Sequence, residues 1–480
     1  MTRNIGSRSY ECCIIGAGPA GLGAALELVK NGVTSILIVD KNTKVGGLAR
    51  TEVFDGVRFD LGPHRFFTKN NEVNKIWHDT LGRDFRPVSR LTRILYKNKY
   101  FNYPIKPIDA LIKLGPIESF SAILSFMFSQ LNKKKDIITF EDWVTQRFGK
   151  RLYEIFFKTY TEKVWGISCD QISAEWAGQR IKGLDVFEIL KNSLFGGKDK
   201  KIRTLVEEFD FPVLGAGQMY ETICDKVISY GAETMLSSQV IRFNRHDNII
   251  GSIDVLDPYG QTISITSKQF FSSIPLAHFF NMLYPEDSQE VRQASGMLRY
   301  RDHITVDLLV EGEKIFPDQW IYVHSPEVQM ARIANYNNFS KAMVGKDNKT
   351  ALSIEYFVFK EHGLWNETDR SLIEFSIAEL EKIGLIKHRE VEKAWVVRET
   401  EAYPINYLGF QEHYDLLKAR LSQFINLCSI GRAGMHKYNN QDHSILSGVL
   451  AARNYLKLPG SPYSLWNINM DAEYQENGKR

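Results

Sequence analysis

The most regular pattern of apolar and polar positions lies in the first 60 residues. Tyr10–Ile15 is an apolar run of strand character, and Gly16-Ala-Gly-Pro-Ala-Gly21 follows it directly. Small and apolar residues continue at helical spacing through Leu22–Asn31, and Gly32 stands where a glycine closes a helix in the left-handed region. Ser35–Val39 is a second apolar, β-branched run that ends in Asp40. Strand, glycine-rich turn, helix and strand in that order predict a βαβ unit. Between about residues 105 and 200 the period changes. Ile108–Leu114, Ile117–Gln130, Phe140–Phe148 and Leu152–Tyr160 mix polar and apolar residues at helical spacing, which predicts a helical insertion. Phe195-Gly-Gly-Lys-Asp-Lys-Lys201 predicts a flexible loop. Thr204–Leu214 and Val240–Ile265 then alternate as strands do, and Phe270–Pro275 is an apolar strand closed by proline. His303–Val310, Trp320–His324, Ala351–Phe359 and Lys393–Arg398 are further strands, and Asn426–Ala452 returns to strand, glycine turn and helix.

These elements define an α/β chain. A Rossmann-type, discontinuous nucleotide-binding domain is interrupted by a helical insertion and a strand-rich domain. The expected segments are 1–104, 204–295 and 421–480 for the nucleotide-binding domain, 105–203 for the insertion with a mobile loop, and 296–420 for the strand-rich domain. The composition fits a globular chain, with 44% apolar and 24% charged residues. A net charge of +3 gives no electrostatic argument for nucleic acid. The five scattered cysteines show no metal or disulfide spacing, so no metal is expected and a reducing, cytoplasmic setting is. Neither Cys12–Val29 nor Phe120–Leu131 suits a membrane span, so no membrane insertion is expected. Aromatic residues are frequent at 12%, and a stacking or sugar-binding pocket is one use for them.

The chemistry begins at Gly16, Gly18 and Gly21, a G-x-G-x-x-G between strand and helix. The first glycine permits the tight turn, the second lets backbone approach a pyrophosphate, and the third lets helix and strand pack closely. The helix N-terminus favours the phosphates. Asp40 ends the second strand, where a carboxylate accepts ribose hydroxyls and repels a 2′-phosphate. Gly46-Gly47 with Arg50, and the run Gly431-Arg-Ala-Gly434 to Gly448 with Asp442 before a small-residue helix, favour FAD over NAD. Taken alone, Asp442 also reads as a plain helix N-cap.

Several separate blocks then resemble the UDP-galactopyranose mutases, within the wider amine-oxidase-like FAD superfamily. They are Asp60-Leu-Gly-Pro-His64, Tyr103-Pro-Ile-Lys106, Lys158–Trp165, Ala177–Arg180, Phe211–Gly217, Trp320–Tyr322, Arg332, Ala402-Tyr403-Pro and Gly431–His443. The resemblance implies an isomerase of cell-surface polysaccharide biosynthesis that interconverts pyranose and furanose forms of a nucleotide sugar. Reduced flavin N5 attacks the anomeric carbon, displacing the nucleoside diphosphate with no net redox. It assigns Arg180 and Arg332 to the diphosphate, with a mobile flap at about 183–203, and His64 to the flavin side. Tyr322, Tyr403 and Tyr438 contact the diphosphate, Trp165 and Thr161 the sugar region, and Tyr103 and Lys106 the base. Gly47, Leu48, Arg432, Asn440 and Asp442 face FAD. No second nicotinamide fingerprint is evident, so a reductant such as NAD(P)H binds transiently or acts through a partner.

Four positions depart from that pattern. Pro63 replaces a glycine, Thr161 an asparagine, Lys106 a glutamine, and Phe339 a tyrosine hydroxyl; together they point to a changed substrate region. An FAD oxidoreductase of the amine oxidase or protoporphyrinogen oxidase type is the alternative. A non-enzymatic relative of the Rab-escort type is a third reading, opposed by the intact glycines.

Overall fold

The last four residues of strand β1 (Asn4–Ile15), from Cys12 to Ile15, are flanked on both edges by parallel neighbours and form its unbroken, buried apolar run. Thr262–Ser272 lies on one side and β2 (Ile36–Val39) on the other. Side chains alternate across the sheet. Cys12, Ile14, Ile36 and Ile38 enter the core on one face, and Cys13, Ile15, Leu37 and Val39 the core on the other. The computed structural model describes residues 4–174, 176–177, 208–458 and 465–468. The flexible loop expected at 195–201, the flap at 183–203 and Arg180 lie outside these residues.

Helix α1 (Pro19–Lys30) crosses from β1 to β2, and Ala20–Val29 are buried along its length. It can be buried all round because a second helix, Gln441–Leu456, lies directly against it. Glycines set how closely they approach. A Cβ on Gly23 would lie 2.7 Å from the Ile445 carbonyl oxygen, and one on Gly448 would lie 1.9 Å from that of Ala20. The C-terminal part of the chain thus closes the layer that the N-terminal part begins.

The second sheet has seven strands in the order Val391–Pro404, Tyr300–Glu311, Lys349–Val358, Arg332–Asn335, Trp320–Val323, Thr92–Tyr96 and Lys99–Asn102. Thr92–Tyr96 pairs in parallel with Trp320–Val323, so residues 92–102 belong to this sheet. The segment expected to end at 104 therefore gives its last two strands to the strand-rich domain. Conversely, the Phe410–Leu421 helix packs Tyr414, Leu417 and Leu421 into the core of the first sheet, although it falls within the expected strand-rich segment. Apolar side chains, not chain order, decide membership.

The helical insertion forms as its periodicity predicts, with α2 (Pro107–Leu114), α3 (Pro116–Leu131) and Phe140–Phe148. The expected helix at Leu152–Tyr160 is three pieces: Lys150–Tyr153, a π-helical turn at Glu154–Lys158, and α4 (Thr159–Trp165). A π-helical turn inserts a residue and so rotates the helix beyond it. The residues rotated here include Tyr160, Thr161 and Trp165. The cysteines are unbridged, and burial pushes the Cys12 thiol up to about 12.

Two measurements test this packing. Gly448→Val should lower stability by about 1–3 kcal/mol, because the added side chain has no space beside Ala20. His324 and His436 are 5% and 2% exposed, and burial holds both rings down to about 3. Below pH ~6.5 the unfolded chain binds protons that the folded chain refuses, so stability is full above that pH and falls as the pH drops toward 3. His324→Phe should flatten that acid limb by roughly 1.4 kcal/mol per pH unit in denaturation series between about pH 6 and 4.

Candidate active site

Sheet register gathers the charged part of the site. Tyr322 pairs with Arg332, and Arg332 with Glu355, across three adjacent strands. Directly opposed residues share a face, so a tyrosine, a cation and an anion stand in one row. The Arg332 Nη2 forms a short ion pair with Glu355 and donates to the Tyr403 hydroxyl at 3.3 Å. On the other side of Glu355, His303 Nε2 lies 3.0 Å from the same carboxylate oxygen. Burial pushes the Glu355 carboxyl up, but Arg332 and His303 outweigh it and hold it below its usual range. Burial likewise disfavours charge on Arg332, yet Glu355 and the surrounding tyrosines keep it firmly protonated. The Arg332 Nε is buried and has no hydrogen-bond partner. A guanidinium anchored at one end with an N–H to spare is suited to gripping an anion.

His64 reaches this row through the turn after the Val57–Asp60 strand. Asp60, fully buried, accepts the Thr51 hydroxyl at 2.5 Å and the Ala216 N–H at 3.1 Å. Gly62 then takes φ 135°, and its missing side chain leaves room for Glu355, whose Oε2 would lie 3.1 Å from a Cβ there. Burial first, then the charge of Arg432, pushes the His64 ring down to about 3, so it is neutral at physiological pH. Its Nδ1 is buried with no hydrogen-bond partner.

Aromatic rings line the site in a continuous run. Arg432 lies 4.9 Å from the Tyr403 ring and 4.7 Å from that of Tyr438, and those rings are 5.5 Å apart. Trp165 meets both, at 6.2 and 5.8 Å. Tyr160 packs 5.4 Å from Tyr322, which packs 4.9 Å from Tyr103, and Arg90 stands 5.8 Å over Tyr103. The structure therefore brings together His64, Arg332, Trp165, Tyr103, Tyr322, Tyr403, Tyr438 and Arg432. Thr161 is buried on α4, one turn before Trp165. Lys106 is exposed at the start of α2, outside the run. Phe339 does not occupy a site position: it is fully buried, 6.1 Å from Trp320 and 5.7 Å from Tyr336 in the core behind the sheet.

The dinucleotide turn adjoins this run beside Arg432: a Cβ on Gly431 would lie 2.9 Å from the Ala20 side chain, and the Arg432 Nε donates to the Asn439 carbonyl at 2.8 Å. Gly16 takes φ 104° and Gly18 is the N-cap of α1, with no side chain closing the helix end. Gly47 faces Gly18 so closely that a Cβ on it would sit 3.2 Å from the Gly18 Cα. A Cβ on Gly21 would lie 1.9 Å from the Gly16 carbonyl oxygen, which fits its expected packing role. Leu48 follows in a short 3-10 turn, and Arg50 is held by Glu52 and Glu399. Asp40 accepts N–H bonds from Ala17 at 2.6 Å and Asn42 at 2.8 Å. It thus braces the turn by accepting one N–H on each oxygen. At the C-terminal side the Asn440 N–H donates to His443 Nδ1 at 3.2 Å, and Asp442 is buried in the first turn of its helix. Bare glycine backbone, an open helix N-terminus and a buried acid fit a dinucleotide.

Four residues of the site escaped the sequence reading. Glu355 leaves one signal, the only acid in the strand Lys349–Val358, while His303 stands among Arg301, Asp302 and Asp307 and leaves none. Tyr160 lies within a block already singled out and stacks on His324 at 4.7 Å. Arg90 has no sequence signal; its Nη2 donates to the Tyr103 carbonyl at 3.2 Å, and its Nε and Nη1 are buried without partners.

The fold and turn define a protein with a dinucleotide-binding Rossmann layer and a second, antiparallel-rich sheet. Residues 14–80 match the family described as an NAD(P)-binding Rossmann-like domain. Over nearly its whole length the chain is similar to a Klebsiella pneumoniae protein named "Probable UDP-galactopyranose mutase", with 23% identity across 454 residues, 92% of this chain and 94% of that protein. The crystal structure of a reduced UDP-galactopyranose mutase superposes with a TM-score of 0.82 at 22% identity, covering 97% of this chain and 96% of that one. A putrescine oxidase structure bound to putrescine follows the same fold at TM-score 0.62 and 14% identity, covering 94% and 100%. The resemblance read in the sequence is borne out in fold, along with the α/β class.

Removing the counter-charge tests the electrostatics. Glu355→Ala strands a buried guanidinium, and should destabilise the protein by about 3–5 kcal/mol in chemical denaturation.

Proposed function

We propose that this chain is a flavin-dependent nucleotide-sugar mutase that interconverts pyranose and furanose rings. The observation that carries the reading is Arg332. It is a largely buried cation fixed by Glu355, its buried Nε–H unspent, ringed by Tyr322 and Tyr403 and faced by His64. A leaving diphosphate needs such a donor, fixed before the bond breaks. FAD in its reduced form, bound at the glycine turns, would supply an electron pair to the anomeric carbon with no net redox.

The chain's own residues do the rest. Arg332 holds a phosphate oxygen, and Glu355 with His303 keeps its guanidinium in place. Tyr403, Tyr438 and Tyr322 present hydroxyls along the diphosphate, while Trp165 and Tyr103 enclose sugar and base and exclude water. His64, being neutral, can accept or donate one hydrogen bond without bringing a second positive charge toward the cofactor. Arg180 completes the diphosphate clamp in this reading, and NAD(P)H serves as a source of reducing equivalents.

The decisive experiment reduces the purified yellow protein with dithionite and offers it a panel of pyranose and furanose nucleotide sugars. Ring interconversion only in the reduced state supports the mutase. Turnover that needs oxygen and the oxidised flavin, with peroxide formed, would replace it with the oxidoreductase reading. Arg332→Ala should cut kcat/KM by on the order of 10²–10³-fold while the flavin absorbance persists.

A further inference from the structure

Arg90 is a cation without a counter-charge. It stands in the short link between the Phe85–Ser89 and Thr92–Tyr96 strands. The next residue fixes that link: the Leu91 N–H donates to Gln319 Oε1 at 2.7 Å, and the Leu91 carbonyl accepts the Gln319 N–H at 3.0 Å. Other arginines nearby or beside the site are matched. Arg93 spends its fork on Asp318, Arg50 lies between Glu52 and Glu399, and Arg332 is paired with Glu355. Arg301 lacks an ion pair but donates to the carbonyls of Lys163, Val164 and Phe357. Arg90 has neither solution. Among the described residues no carboxylate pairs with it. Its Nη2 donates to the Tyr103 carbonyl at 3.2 Å, and its buried Nε and Nη1 donate to nothing. Burial, and then the positive charge of Arg65, work against its charge. A guanidinium keeps its proton even so. The folded protein therefore carries the cost of a desolvated, uncompensated cation.

An anion bound at this place offsets that cost, and the position of Arg90 says which anion. Its guanidinium stands 5.8 Å over the Tyr103 ring, that ring packs 4.9 Å from Tyr322, and Tyr322 lies opposite Arg332 in register. Two arginines thus flank one tyrosine in the aromatic run, and they are not equivalent. Glu355 already balances the charge of Arg332, so Arg332 offers a phosphate a fixed hydrogen bond more than a net charge. Arg90 offers both.

We propose that Arg90 is a second phosphate-binding cation of the site, which takes the phosphate on the nucleoside side of the diphosphate while Arg332 takes the phosphate on the sugar side. This rests on the nucleotide-sugar reading given above and divides the work within it. Arg332 serves the oxygen that parts from the sugar. Arg90 anchors the half of the leaving group that makes no bond to the sugar, and so keeps the diphosphate in reach for its return. An arginine suits this post because its planar fork grips phosphate oxygens at two points.

Isothermal titration of the flavin-loaded full chain with UDP, GDP and ADP, and with their monophosphates, tests the proposal. Arg90→Gln should weaken a diphosphate and its monophosphate by a similar factor, about 10–100-fold, because both carry the phosphate that Arg90 takes. Arg332→Ala should weaken the diphosphate far more than the monophosphate. Added salt should weaken binding to the wild type more steeply than to Arg90→Gln. Arg90→Met removes an uncompensated charge, so it should melt at or above the wild-type temperature with its flavin absorbance unchanged. Equal affinities of wild type and Arg90→Gln overturn the proposal and leave the mutase reading standing, as does a loss confined to the diphosphates. A joint fall of melting temperature and nucleotide affinity in Arg90→Met also overturns it, by assigning Arg90 to the support of the Tyr103 backbone. A wild type that binds none of the nucleotides overturns this proposal and the mutase reading together.

Discussion

The buried pairing of Arg332 with Glu355 is the constraint around which the pocket is arranged. A guanidinium this deep in the molecule is tolerable only beside a fixed counter-charge. Glu355 is therefore held in turn by His303, and the Gly62 turn must leave it space. Once this row is set, the places of the tyrosines follow. Tyr322 is opposite Arg332 by register, and Tyr403 is drawn in by its hydrogen bond. Desolvating two charges costs stability, and the pair offsets that cost only while both partners stay in place.

The site is shared between two sheets that the chain crosses repeatedly. The dinucleotide turn belongs to the first sheet, the Arg332 row to the second, and Arg432 joins them by packing against Tyr403 and Tyr438. Helix α4 completes the wall from the insertion, after a π-helical turn that shifts its face. No single segment carries the chemistry. That is why residues as distant as His64 and Tyr438 had to be sought in short blocks rather than in one motif.

Much of this was legible in the sequence where local rules suffice. The first βαβ unit declares itself because both faces of β1 are buried at Cys12–Ile15 and a glycine turn must follow it. The helical insertion shows through its period. Less legible were features that depend on pairing. Residues 92–102 look like an extension of the first domain, and only their parallel partner at Trp320–Val323 moves them to the second sheet. Phe339 reads as a displaced site residue, yet its ring fills the core between Trp320 and Tyr336. Glu355 is a single acid in an apolar strand, and nothing local distinguishes a catalytic neighbour from a buried structural carboxylate.

The contact between α1 and the Gln441–Leu456 helix has a consequence for how the protein is made. The glycine turn leaves the ribosome well before the helix that covers α1, because most of the described chain lies between them. Until residue 456 has been synthesised, the apolar surface of α1 has no lid and the second side of the nucleotide cleft does not exist. Stable capture of a dinucleotide is therefore a late event in biosynthesis. A chain broken off before that helix would carry the full fingerprint and hold nothing with it.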